Sequence, residues 1–160
     1  MARFSPSGGG RGGLAFDDAG LLDEFQGAVR AADEWIGVLD RKLPEAAMAA
    51  TEELGLYMEA WLKQNTRVDT GRARASWGHY TPSDMTEKAT SKDRSEARAA
   101  AIYDGPTPHD FAVTVGSRVE YMPYLNYRLG DYMLEGAVVA TMQAVPTIVG
   151  QYLRAIAKGV

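Results

Sequence analysis

The sequence predicts an α+β fold: N-terminal helices, a small antiparallel β-sheet and a long, kinked C-terminal helix. Three observations predict it. Apolar residues recur every three to four positions in long runs towards both ends of the chain. The short segment FAVTV (Phe111–Val115) alternates with the period of a half-buried strand. Turn chemistry, at Asp69-Thr70-Gly71 and again at Asp104-Gly105-Pro106, punctuates the region between. With 160 residues, 46% of them hydrophobic, the chain can bury one sizeable core. Residues 17–160 are therefore expected to form a single domain behind an arm at 1–16, with a mobile polar insert near 81–110.

The arm contains SPSGGGRGG (Ser5–Gly13), too rich in glycine and serine to order itself and read as a flexible tail; it also resembles a minimal RGG-type RNA tail. From Asp17 or Asp18, either of which can cap, Leu21, Leu22, Phe25, Val29, Trp35, Ile36 and Leu39 recur at helical spacing. Pro44 is expected to break this helix or begin a new one. From Pro44 to Gln64, Leu43, Ala47, Ala50, Leu54, Tyr57 and Trp61 form one apolar stripe, read as core, with Glu45, Glu52, Glu59 and Lys63 off it. Within the polar middle, Lys92–Ile102 has the composition of a short helix. Phe111, Val113 and Val115 point inward from a strand, and Val119–Tyr127 reads as an extended, aromatic-rich edge because Pro123 cannot donate to a ladder. The last helix, about Asp131–Lys158, carries the stripe Leu134, Val138, Met142, Val145, Val149, Tyr152 and Ile156, with a kink expected at Pro146.

Composition narrows the function. Seventeen basic and 21 acidic residues leave a net charge of -4, which argues against a main task of neutralising nucleic-acid phosphates. The chain has no cysteine, so it has no disulfides, zinc-thiolate sites or thiol nucleophiles. The N-terminus lacks the apolar stretch of a secretory signal, and charges are expected to interrupt every apolar run too often for a bilayer span, so the product is expected to be soluble.

The most informative stretch is TRVDTGRARASWGHY (Thr66–Tyr80). Asp69 and Thr70 can each accept a backbone hydrogen bond two residues on, and Gly71 can take positive φ, giving a rigid reversal. Read as a strand, Arg72–His79 places Arg72, Arg74 and Ser76 on one face and Ala73, Ala75 and Trp77 on the other. Two arginines flanking a small hydroxyl suit carboxylate partners, or simply a solvated face. Asp-Thr-Gly is also an aspartic-protease signature, but here a helix precedes it and two arginines would hold Asp69 ionised. His79 and His109 lack metal-ligand spacing. No catalytic set, metal or cofactor is indicated.

RVDTGRARASW, followed after a polar insert by FAVTVGSRVEYMPYLNYRLGDYMLEGAVVATMQ, resembles the neck and tail-completion proteins of long-tailed bacteriophages. Val68–Trp77 matches the family's turn; Val119–Leu125 and Tyr132–Val138 match a later rim and the opening of the last helix. The resemblance covers roughly Pro44–Lys158. Asn126 stands where the family usually has Glu, and Met122 where it usually has Ala, so an ion pair between that Glu and the motif arginines needs another carboxylate, such as Glu120 or Asp131.

The resemblance implies a structural virion protein, made in the host bacterial cytoplasm. It would form a homo-oligomeric ring, 6- or 12-fold, in the neck between the portal and head-closure proteins and the tail terminator and tube proteins. DNA passes through such a ring without specific binding, and no membrane is involved. The structural turn is then Asp69, Thr70 and Gly71. The candidate subunit or partner interface is Arg72, Arg74 and Trp77 with the aromatic rim Tyr121, Tyr124 and Tyr127, whose other reading is a satellite core. A tail terminator is the alternative within the class; a small nucleic-acid-binding module using the arm with Arg72 and Arg74 is the alternative outside it.

Overall fold

The computed structural model describes residues 18–128 and 132–159, with side chains from 26 to 126 and from 132 to 159. The arm, Asp17 and Asp131 lie outside the described residues. The chain divides into two compact units between Gly37 and Val38.

The predicted α+β class holds: long helices with a two-stranded antiparallel sheet. The order is α1 (Asp18–Asn65), α2 (Arg72–Ala75), a 3-10 turn (Pro82–Asp84), α3 (Ser91–Ala100), β1 (Ala101–Asp104), β2 (Thr114–Ser117), a turn of π-helix (Tyr124–Arg128) and α4 (Met133–Lys158). Within the polar middle the short helix expected at Lys92–Ile102 forms at Ser91–Ala100, its last two residues passing instead into β1. The polar middle thus supplies α3, opened by a capping box in which Thr90 and Asp93 satisfy each other's backbone N–H, and it supplies β1.

The break expected at Pro44 does not occur: α1 runs through it. A helix-interior proline costs about 3 kcal/mol. Here Glu45–Ala50 are good helix formers and the helix beyond packs on the core, which outweighs that cost.

In the second unit, α4 lies antiparallel along α1. Trp61 packs on Gly136, the Tyr152 hydroxyl donates to Glu53 at 2.9 Å, and Lys42 Nζ donates to the Gly159 carbonyl at 2.8 Å. The approach at Gly136 is close enough that a Cβ there would sit 2.3 Å from the Trp61 ring. The core gathers at the C-terminal end of α1, where Leu62, Ala73, Trp77, Val119, Met122 and Met133 meet. α1 faces it with Met58, Leu62 and Thr66, a line four residues apart that is offset from the expected stripe, with Trp61 of that stripe packed beside it. Of that stripe, Ala50 is buried and Leu54 and Trp61 half-buried, while Leu43, Ala47 and Tyr57 are exposed. Glu59, expected outside, is buried at 7%.

α4 shows the same offset. Met133, Ala137 and Ile148 face the core, and of the expected stripe only Ile156 is buried. Periodicity identified an apolar face on each helix; the core took its neighbour.

The sheet pairs Ala101 with Ser117 through Asp104 with Thr114. The strand expected at Phe111–Val115 begins three residues later, and Phe111 is exposed. Arg72–His79 is not a strand: Arg-Ala-Arg-Ala has high helix propensity, and Ala75 N–H closes a helical turn on the Gly71 carbonyl at 2.9 Å. Only the end of this segment meets the sheet among the described residues: Trp77 bridges Ile102 in parallel, and Gly78 N–H donates to the Gly116 carbonyl at 3.1 Å. The extended edge expected at Val119–Tyr127 is instead coiled, ending in the π-helical turn.

The expectation about bilayer spans also needs correction. Gly136–Leu153 carries no charge, and α4 is long and apolar enough to cross a membrane by length and composition.

Candidate functional site

The Asp69-Thr70-Gly71 corner is built by backbone. Gly71 sits at φ 85°, and a Cβ there would meet the Asp84 carbonyl oxygen at 2.3 Å and Met85 Cα at 2.7 Å. Only glycine fits both the conformation and the space. The Thr70 hydroxyl accepts from Arg72 N–H at 3.3 Å, as expected of this turn. Thr86 then clamps the corner from the next segment, its N–H donating to the Thr70 carbonyl at 3.0 Å and its hydroxyl to the Asp69 carbonyl at 2.9 Å. The Asp69 carboxylate points to solvent, 3.9 Å from Lys88.

The two arginines take different environments. Arg72 donates through Nη1 to Glu96 in a close ion pair and through Nε to the Tyr121 hydroxyl at 3.4 Å, with its guanidinium 4.8 Å from the Tyr121 ring centre. The carboxylate partner of Arg72 is thus Glu96 on α3 rather than Glu120, and Asp131 lies outside the described residues. Arg74 is half-buried, and its Nε has no hydrogen-bond partner among the described residues. Trp77, expected at an interface, is a core residue: 3% exposed, with Nε1 donating to Thr66 Oγ1 at 2.8 Å, which itself donates to the Leu62 carbonyl at 2.6 Å. Ser76 reaches Ser117 at 2.6 Å and locks α2 to β2.

The aromatic rim divides similarly. Tyr121 is half-buried beneath Arg72, Tyr124 is open to solvent, and the Tyr127 side chain lies outside the described residues. Asn126 has a task of its own. It is 2% exposed, accepts from Leu134 N–H at 3.0 Å and donates to Glu135 at 3.1 Å, so it caps the start of α4. Tyr132, at φ 43°, donates its N–H to the Asn126 carbonyl at 3.1 Å.

Sequence reading missed one polar cluster. Lys63 Nζ donates to Glu59 at 2.5 Å, to the His79 carbonyl at 2.7 Å and to Thr81 Oγ1 at 2.6 Å. The other Glu59 oxygen faces His79 Nδ1 at 2.8 Å, and the His79 ring lies 3.9 Å from that of Tyr103. Burial alone would push the Glu59 carboxyl up, but hydrogen bonds from Lys63 and His79 outweigh it and hold it below its ordinary value. Tyr103 donates to Glu52 at 2.6 Å; burial and that carboxylate push its phenol up. The i, i+4 spacing of Glu59 and Lys63 was the available signal; that a turn folds over the pair was not. Among the described residues no group of three His, Asp or Glu is placed to hold a metal ion.

No family model, curated protein or solved structure matches this chain.

The remaining feature is apolar. Leu134, Val138, Met142 and Val145 are 41, 48, 68 and 37% exposed along one face of α4. Beside it, Leu43, Ala47 and Leu54 of α1 and Val149 and Leu153 of α4 line an open cleft of about 210 Å³. Exposed apolar side chains in line on one helix face, with a cleft beside them, are uncommon on a soluble single chain.

Proposed function

We propose that this chain is an architectural subunit, a virion protein that forms a ring in the neck of a tailed bacteriophage and joins the DNA-filled head to the tail. The observation that carries it is the uncovered face of α4, four large apolar side chains in line on a helix without charge from Gly136 to Leu153. The setting comes from the resemblance of Val68–Trp77, Val119–Leu125 and Tyr132–Val138 to the neck and tail-completion proteins. The corner supports the same reading. Its side chains hold the fold together, Arg72 through Glu96 and Trp77 through Thr66, and its geometry fixes how α1 turns into the rest of the domain.

A membrane span explains the same helix less well. α4 pairs along its length with a segment of α1 that carries Glu45, Glu52, Glu53 and Lys63, and a lipid environment would desolvate those charges. A face that meets a neighbouring subunit leaves them at the rim.

Two experiments test the reading. The purified chain should assemble well above its 17.4 kDa monomer mass, and Met142→Asp should abolish that assembly while leaving the far-ultraviolet circular dichroism unchanged. A phage lysate carrying Gly71→Val should contain full heads beside separate, complete tails. Overlong tails would assign the protein to tail termination instead, and normal virions would overturn both. Strongly salt-dependent DNA binding by the unassembled chain would favour a nucleic-acid-binding module.

A further inference from the structure

The first half of α1 carries a second apolar line. Leu22, Phe25, Val29, Ala32, Ile36, Leu39 and Leu43 follow one another at steps of 3, 4, 3, 4, 3 and 4, the spacing of a helix that packs along another helix. Val29, Ile36 and Leu43 are 44, 52 and 42% exposed. Within the second unit, the pairing of α1 with α4 ends where Lys42 meets Gly159 at the end of α4. On α1 the exposed stretch from Val29 to Ile36 is about 11 Å long, and on α4 the uncovered face from Leu134 to Leu153 is about 28 Å.

Charge decides between possible occupants. Residues 18–37 hold five acidic side chains and one basic, Arg30, a net -4. Two copies of this segment lying side by side would repel. On α4 the only charges after Glu135 are Arg154 and Lys158, both positive.

We propose that the N-terminal half of α1 in one copy packs its Val29–Ile36 line on the outward α4 face of a neighbouring copy. The inference rests on the ring reading and names the surfaces that join its subunits. The contact is heterologous, one patch meeting a different patch, which is the kind of interface that closes a ring.

The absence of cysteine makes the test direct. Ile36→Cys and Met142→Cys variants are made separately, mixed and treated with a short bifunctional maleimide. The mixture should give a cross-linked product of one copy of each, in clear excess over products from either variant alone. Ile36→Asp and Met142→Asp should each reduce the mass in solution to that of a single chain, while Glu34→Gln, off the line, should not. An Ile36→Asp variant that keeps the wild-type assembly overturns the inference and leaves the ring reading in place. Predominant cross-linking of Ile36→Cys to itself overturns it in favour of a self-paired α1. A wild-type chain that is a single copy at all concentrations overturns the ring reading, and the inference with it.

Discussion

At the scale of single residues, two positions carry consequences that can be measured in any folded sample. Gly71→Ala places a side chain at positive φ against the Asp84 carbonyl and Met85. The expected loss is about 2–4 kcal/mol, from left-handed strain and overpacking together, read as a lower midpoint in urea unfolding. Glu59 governs the acid limb. Its folded-state carboxyl titrates below its unfolded value of 4.5, so its contribution is present above about pH 4.5 and is lost as pH falls through the lowered folded value. Glu59→Gln keeps the shape but removes the charge, and its stability should fall less steeply than wild type on acidification below pH 4.5. An unchanged acid limb in that variant would show that other carboxylates set it. The sequence announced the first of these residues and hid the second. A glycine after Asp-Thr declares a turn through local chemistry, whereas Glu59 is buried by Gly78 and His79, nearly twenty residues away, which no local pattern reports.

Among the elements, what was legible was amphipathicity and what was not was which face wins. α1 and α4 were both predicted from apolar spacing, and both turn a neighbouring line towards the core: Leu62 rather than Tyr57, Ala137 rather than Val138. Small residues such as Ala137 and Gly136 score weakly as hydrophobic, yet they allow the close approach that builds the interface with Trp61. α2 was misread because Arg-Ala-Arg-Ala-Ser-Trp alternates with strand period, while its residues favour a helix and Gly71 opens one. The start of α4 gives the test at this scale. Asn126→Ala removes the side-chain acceptor for Leu134 N–H and leaves Glu135 without its donor. It should cost about 0.5–2 kcal/mol, as other helix caps do, and Asn126→Asp should recover most of the bond to Leu134. Equal loss in both would mean that packing of the buried side chain, rather than the cap, sets the stability.

For the molecule as a whole, α1 is one helix in two environments. Residues 26–36 are exposed on every side, whereas Ala50, Glu59, Leu62 and Thr66 are buried. Hydrogen bonding along the backbone is the same in both halves, so the two differ only in what surrounds them. Amide hydrogen exchange should therefore run as a gradient along a single helix. In the single chain it should be fast at 26–36 and slow at 58–62, where opening requires the core to open as well. If copies join as proposed, the fast half should slow by orders of magnitude and the slow half hardly change. That gradient would make the first half of α1 a built-in clock for subunit addition: each amide there stops exchanging when a neighbour arrives, without any label on the protein.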